Sequence, residues 1–480
     1  MRIRRQGEQR RALGRRGERM NAPKSRPGGG SGGGGGLLGG LGGGGRGGGR
    51  SGGGGIPMGN LGKGGGVMGI IIALVVAFLA MRGGGGTVGT TGSGTGNDVV
   101  GERTELVSVQ ATSRSSLSAA ERADLDAFLT DAVDDLAVYW TEEYPQVYGG
   151  RFQPLSAVFP FDPTGDQRIS CGQPLDSRIL NSNAIYCPAE DYITWDSNFL
   201  IPNFYANFGK SSVGVVLAHE YGHAVQTRGG FDGAPILRDL QADCFAGAWI
   251  GRSIRGEGAV QMAPRDLTGA VSGFLLLRDP PGAPTDGFSA HGSAFDRVNA
   301  FQSGYDEGPE RCRDFATEGV EIVDLNIERG DVNGGNLDYP TARDAVIEDL
   351  NVFWSGITGA SGPQLSWNEE ELAARNADIG DFATGFTLAR LHGEAVLDEL
   401  GIADRDGSIA VCLAGVWAGD VAYTSTRPLE LTGGDLDEAI ATMLDDPEAG
   451  DVSAFDRVAS FKTGFFDGGS GTVASVEICR

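Results

Sequence analysis

Residues 216–226 read "VLAHEYGHAVQ", which sets His219, Glu220 and His223 in the pattern HExxH. On a helix, residues four apart share a face, so the two imidazoles point the same way. Two neutral imidazoles at that spacing can hold one Zn2+, and the Glu beside them can take a proton from water. A catalytic zinc needs a third protein ligand and keeps its fourth position open. Downstream stands "LRDLQADCFAGAWI", where Asp239, sixteen residues after His223, and Asp243 are one turn apart on an expected helix. One carboxylate can complete the coordination while the other accepts the free N–H of a ligand His and so fixes its tautomer. Paired Asp are also common as solvated surface groups; these two flank an apolar face.

The elements that must hold these residues are readable from periodicity. "SSVGVVLAHEYGHAVQT" carries Val213, Val216, Leu217 and Ala224 on one helical face. Upstream, "SLSAAERADLDAFLTDAVDDLAVYW" repeats Leu125, Phe128, Leu129, Ala132, Leu136 and Tyr139 at helical spacing, with Ser118 and Glu121 as a capping box. Residues 150–210 mix Pro, Gly, Asn and aromatic residues and read as irregular, with Cys171 and Cys187 stapling a loop.

The front of the chain has a different composition. Residues 28–66 are nearly all Gly, too poor in apolar groups to offset chain entropy. "VMGIIIALVVAFLAM" follows, within 18 uncharged residues between Lys63 and Arg82, just enough to cross a hydrocarbon core of about 30 Å as a helix. A signal-peptide core and a buried helix are the alternatives; the 66-residue leader and the lack of an A-x-A site favour an uncleaved anchor. Residues 1–66 carry 13 Lys or Arg against Glu8 and Glu18, a balance of +11, which leaves −35 for the rest of a chain whose total is −24. Positive residues are retained on the cytoplasmic side, so the acidic bulk is expected outside. Its charge argues against nucleic acid as a partner. All six Cys lie after the apolar segment, as expected for an oxidising compartment.

"HEYGHAVQ", "DLQADCFAGAWI" and "HGSAFDRVNAFQSGYDEGPERC", taken in that order, resemble the successive motifs of the neutral zinc metallopeptidases, a family of single-pass bacterial envelope proteins. The Arg-rich start, Gly-rich linker and single apolar segment are similar too, and the likeness covers roughly residues 1–315. It implies Asp239 as the third zinc ligand and Asp243 as the carboxylate behind a ligand His. It also places a family His at His291, implying a group that stabilises the oxyanion of a tetrahedral intermediate; a lone His is otherwise more often structural. One departure stands out: the family pattern is ELQAD, and this chain has Asp239 where the Glu belongs. The carboxylate is kept but is one methylene shorter.

The remainder repeats the first part. "DAVDDLAVYW" at 131 returns as "DAVIEDLNVFW" at 344, "CFAGAW" at 244 as "CLAGVW" at 412, and "SAFDRVNAFQSGY" at 293 as "SAFDRVASFKTGF" at 453. Aligned this way, His219, Glu220 and His223 fall on Arg390, Leu391 and Glu394; Asp239 and Asp243 fall on Gly407 and Val411; His291 falls on Asp451. Every residue proposed for chemistry is lost, and the packing residues are kept. His392, the one His of this part, stands where Tyr221 does and lacks partners for a metal. Six Cys allow 15 pairings. The parallel spacing of Cys244 and Cys312, and of Cys412 and Cys479, gives each copy its own bridge and leaves Cys171 with Cys187. Loops of that length are stabilised by roughly 4 kcal/mol on the chain-entropy model.

The expectation is therefore a mainly α (α+β) protein. It comprises a basic, Gly-rich cytoplasmic segment (1–66), a transmembrane signal anchor (67–82), a linker (83–115), a zincin-like metallopeptidase domain (116–335) and a degenerate copy of it (336–480). The implied activity is hydrolysis of a peptide or protein substrate outside the cytoplasm. One Zn2+ is held by His219, His223 and Asp239, with Glu220 as base and His291 assisting. The alternative is a non-catalytic envelope binding or scaffold protein derived from a metallopeptidase.

Overall fold

A computed structural model describes residues 1–3, 19–20, 112–283, 290–323, 325, 335–424, 426–445 and 452–480. Among these the fold is mostly helical, with one three-stranded sheet and two short two-stranded pairings. The first helix, α1 (Ala119–Val147), opens on the expected capping box: the Ser118 hydroxyl accepts from the Glu121 amide, and the Glu121 carboxylate accepts from the Ser118 amide. Its residues Leu125, Phe128, Leu129, Ala132, Leu136 and Tyr139 are buried, as the 3.6-residue period requires.

Residues 150–210, expected to be irregular, contain the sheet. Strands β3 (Ala157–Phe161) and β5 (Tyr192–Asp196) run parallel, and β4 (Ala184–Cys187) lies antiparallel to β5, which leaves β3 and β4 as the two outer strands. The strands are four or five residues each, too short to raise a clear period-2 signal among Pro and Gly. Cys171 and Cys187 form the disulfide that ties the preceding loop to the end of β4.

Helix α2 (Leu200–Gly229) breaks at Gly209, whose φ of 80° and ψ of −171° lie outside the helical region. Glycine tolerates this geometry because it lacks a Cβ, and the Ser212 hydroxyl donates to the Gly209 carbonyl to start the second segment. That second segment carries His219, Glu220 and His223 through the core, and it ends at Gly230 in the left-handed conformation. Helix α3 (Pro235–Ile254) packs against it. The close approach is set at Gly222, where an added methyl would press on the Cα and Cβ of Ala242. Helices α4 (Leu267–Leu277), α5 (Ala294–Glu307) and α6 (Pro309–Glu318) complete this half, with Cys244 of α3 bonded to Cys312 of α6.

The second half contains α7 (Tyr339–Phe353), α8 (Glu369–Asp378), α9 (Asp381–Leu400), α10 (Ser408–Tyr423), α11 (Asp435–Leu444) and α12 (Ala454–Asp467). Several details occur in both halves. Trp249 Nε1 donates to Asp135 and Trp417 Nε1 to Asp349, at 2.8 and 2.7 Å. Ser293 caps α5 and Ser453 caps α12, each accepting from an Asp amide three residues on. Cys412 bonds Cys479. Gly247 and Gly304 let α3 and α5 touch backbone to backbone, and Gly415 and Gly464 do the same for α10 and α12. A methyl at Gly247 would overlap the Phe301 carbonyl. Gly247→Ala is therefore expected to cost roughly 1–3 kcal/mol or more by overpacking, read as a lowered thermal midpoint; an unchanged midpoint would contradict the packing described.

The membrane reading is corrected. The segment 67–82 lies outside the described residues, and among those described no helix is long and apolar enough to cross a membrane. The front of the chain instead belongs to the folded unit: Arg2–Ile3 (β1) pairs with Leu429–Glu430 (β7), and Arg19–Met20 (β2) with Val320–Glu321 (β6). The Met1 ammonium is buried against Asp381 and Asp435 at 2.5 and 3.0 Å, and these carboxylates raise its pKa to about 10 despite burial. A bilayer cannot lie between segments paired in one unit, so the single-pass anchor, the cytoplasmic N-terminus and the extracytoplasmic placement that follows from them are not supported. The basic head and acidic body, read by charge as opposite sides of a membrane, meet instead, as Arg2 and Glu430 do at 4.0 Å.

Asp296, in the first turn of α5, is fully buried, and burial pushes its carboxyl up to about 7. A carboxyl whose folded pKa exceeds its unfolded value binds more protons in the folded state. It therefore lowers stability as pH rises from about 4 to about 7. Asp296→Asn is expected to flatten that part of the melting-temperature profile, from about pH 4 to about pH 7; an unaltered slope would contradict the assignment.

Candidate active site

The second segment of α2 and the start of α3 meet at a cavity of about 330 Å³, and His219, Glu220, His223, Asp239, His291 and Arg297 all line it. Asp243 lies directly behind His219, fully buried. The structure thus brings together all six residues singled out for chemistry.

Hydrogen bonds set the two imidazoles of α2. His219 Nδ1 is 2.7 Å from Asp243 Oδ1. Asp243 also accepts from Arg297 Nε and Nη2 at 2.8 and 3.0 Å, in a forked pair. The carboxylate can only accept, so His219 donates through Nδ1 and its Nε2 is left for a ligand. Burial works against the His219 cation, but Asp243 outweighs it and the pKa rises; a metal at Nε2 displaces that proton. Asp243 is held ionised in turn, since Arg297 and His219 overcome its burial.

His223 Nδ1 lies 2.8 Å from Gln226 Oε1, and Gln226 Nε2 donates to the Arg238 carbonyl at 2.6 Å. The second contact orients the amide, so His223 also donates through Nδ1. Burial and the neighbouring His219 push its pKa down to about 4, which keeps Nε2 a free base.

Asp239 completes the group. Oδ1 is 3.6 Å from His223 Nε2, and His219, His223 and Asp239 each present a ligand atom within 4.8 Å of the others. Two ligands on a tetrahedral zinc at the usual 2.0–2.2 Å bonds stand roughly 3.4 Å apart. Asp239 Oδ2 is buried with no hydrogen-bond partner, a state that is costly unless another group satisfies it. Geometry, donor chemistry and the orphaned oxygen all fit a zinc ion. Among the described residues one other carboxylate-rich group has metal-like spacing, Asp381, Asp435 and Glu438, and the Met1 ammonium already occupies it.

Glu220 is buried, and desolvation raises its carboxyl to about 7. His291 stands across the cavity. Its Nε2 is 3.7 Å from Asp239 Oδ2, and its Nδ1 is 3.0 Å from Asp279 Oδ1. Asp279 also accepts the backbone amides of His291 and Gly292 at 2.7 and 2.9 Å. Burial opposes the His291 cation, and Asp239 and Asp279 outweigh it, so its pKa is raised.

Three supporting residues were not legible beforehand: Gln226, Asp279 and Arg297. Gln226 had a usable signal, since it lies one turn past His223 in the quoted motif. Asp279 and Arg297 reach the site only through tertiary approach. At the aligned positions of the second half, Arg390 and Glu394 pair with each other, and His392 is buried beside Asn351, 3.3 Å away.

The family described as "Putative neutral zinc metallopeptidase" matches residues 15–315, and the chain belongs to it. The chain is 26% identical over 278 residues to the Escherichia coli protein YpfJ, across 53% of this chain and 87% of that protein. It is 28% identical over 181 residues to the Mycobacterium tuberculosis protein Rv2575, across 32% of this chain and 60% of that one. Both relatives are named as uncharacterized proteins. No solved structure matches the chain.

Proposed function

We propose that the chain is a zinc-dependent peptidase whose site is built from His219, His223 and Asp239 as metal ligands with Glu220 as general base. The observation that carries this reading is the Asp239 carboxylate, one oxygen of which has no hydrogen-bond partner, with a ligand atom within 4.8 Å of two imidazoles whose Nδ1 atoms are both committed as donors. Zinc bound there supplies a Lewis acid for the scissile carbonyl and lowers the pKa of water. A purely structural zinc is closed by four protein ligands and has no use for a buried base.

The chain's own residues then have distinct tasks. Glu220, buried between the two ligand imidazoles in sequence and lining the same cavity, takes a proton from the attacking water and returns it to the departing amine. His291, held by Asp279 through Nδ1, turns Nε2 toward the cavity, where it donates to the oxygen on which negative charge develops. Asp243 and Arg297 fix the plane of His219. Strand β4 is an outer strand, and Ala184, Ile185 and Tyr186 line the cavity. An extended peptide can add along such an edge. These features support a zincin-like arrangement.

We further read residues 336–480 as a degenerate copy of 116–335. The paired Trp–Asp bonds, disulfides, serine caps and Gly–Gly contacts support this, and the Arg390–Glu394 pair stands where the ligand imidazoles would be.

The test is removal of metal by a chelator and its return. Cleavage of a mixed peptide library should vanish and then be restored by one equivalent of zinc. Zinc-loaded protein that cleaves nothing would instead favour a non-catalytic binding protein.

A further inference from the structure

The second half of the chain contributes a buried carboxylate to the segment that carries His291. Asp437, in the first turn of α11, is only 2% exposed. Its Oδ1 accepts the Phe295 backbone amide at 3.0 Å, and its Oδ2 lies 3.1 Å from Arg278 Nε. Arg278 immediately precedes Asp279, and Phe295 lies four residues past His291. One carboxylate from α11 therefore ties together two short stretches, 278–279 and 291–295, which form a strip whose own bonds, Asp279 to His291 and Gly292, set the imidazole.

We propose that Asp437 is a positioning residue for His291, and that clamping this strip is the role of the second half toward the active site. The proposal rests on the peptidase reading only for the part His291 plays in turnover; the clamp itself is a statement about geometry. No zinc ligand lies on the strip, so the clamp is separable from metal binding. Catalytic geometry is demanding, since a misplacement of about 1 Å can cost about 100-fold in rate.

The experiment uses the full chain labelled with 13C and 15N in histidine, loaded with zinc. Four His give four sets of ring signals, assigned by His291→Ala and by single variants of the others. Asp437→Ala is expected to shift and broaden the His291 ring signals, leave those of His392 in place, and keep the wild-type zinc content. On peptide, kcat should fall about 10- to 100-fold with KM within about two-fold. Adding Asp437→Ala to His291→Ala should slow the enzyme no further. Asp437→Ala removes a carboxylate from beside the buried Arg278, so Asp437→Asn serves as the milder variant: it keeps an acceptor for Phe295 N–H and should show a smaller shift and partial rescue. His291 signals that stay unmoved in either folded variant, or rate losses that multiply with His291→Ala, would overturn the proposal. The ring signals do not depend on turnover. A zinc-loaded wild type that cleaves nothing would end the peptidase reading, and the clamp would still be decided by the spectra.

Discussion

Asp239→Ala is expected to leave the purified chain without zinc, from about one ion per chain to near none, and without peptide cleavage. His219 and His223 come from one helix and offer only two nitrogens. Two imidazoles alone do not make a closed or catalytic zinc site, which takes at least three protein ligands. The fold brings the third from α3, and the place where α2 and α3 touch explains how an Asp suffices. Gly222 lies against Ala242 with no room for a methyl, so the helices approach closely enough for the shorter carboxylate to come within 3.6 Å of His223 Nε2. Asp239→Glu inserts a methylene into that gap, and it is expected to keep zinc more weakly than the wild type. Atomic absorption on dialysed protein reads both variants. Full zinc occupancy in Asp239→Ala would remove Asp239 from the ligand set and direct attention to His291, 3.7 Å away.

Glu220→Gln should show the opposite pattern: zinc stays at one per chain while kcat falls roughly 10²- to 10⁴-fold, the range for loss of a general base. Gln is nearly isosteric and cannot ionise. Glu220 is buried and carries a carboxyl raised to about 7, so ionised Glu costs stability above that pH. With the metal removed, the variant should therefore melt no lower than wild type at pH 8. A folded, zinc-loaded Gln variant that retains most of the activity would assign the base elsewhere.

What the sequence disclosed follows the range of each interaction. His219, Glu220 and His223 are neighbours on one helix, so their spacing alone set their common face. Asp239 and Asp243 were candidates from their spacing, the resemblance chose Asp239 as the ligand, and its distance to His223 depends on a helix contact that periodicity does not report. The cysteine pairs were legible because Cys244 and Cys312 are 68 residues apart and Cys412 and Cys479 are 67, and all three disulfides are as expected. The short strands between residues 157 and 196 escaped notice because four- or five-residue runs carry little period. Arg297, Asp279 and Asp437 escaped for another reason. Each is an ordinary charged residue in its own segment and gains its role only where α3, α5 and α11 converge. The front of the chain misled most, since an apolar run flanked by basic residues reads as an anchor. The two-residue strands at Arg2–Ile3 and Arg19–Met20 that bind it to the fold leave no mark in composition.

The central claim is that this site hydrolyses peptide bonds. Its most direct test is mass spectrometry of a mixed peptide library after incubation with the zinc-loaded full chain in 18O-water, beside Glu220→Gln at equal zinc content. New C-termini carrying one 18O are expected with the wild type and none above background with the variant. A wild type that holds one zinc and yields no labelled termini, or termini formed equally by both proteins, would contradict the claim.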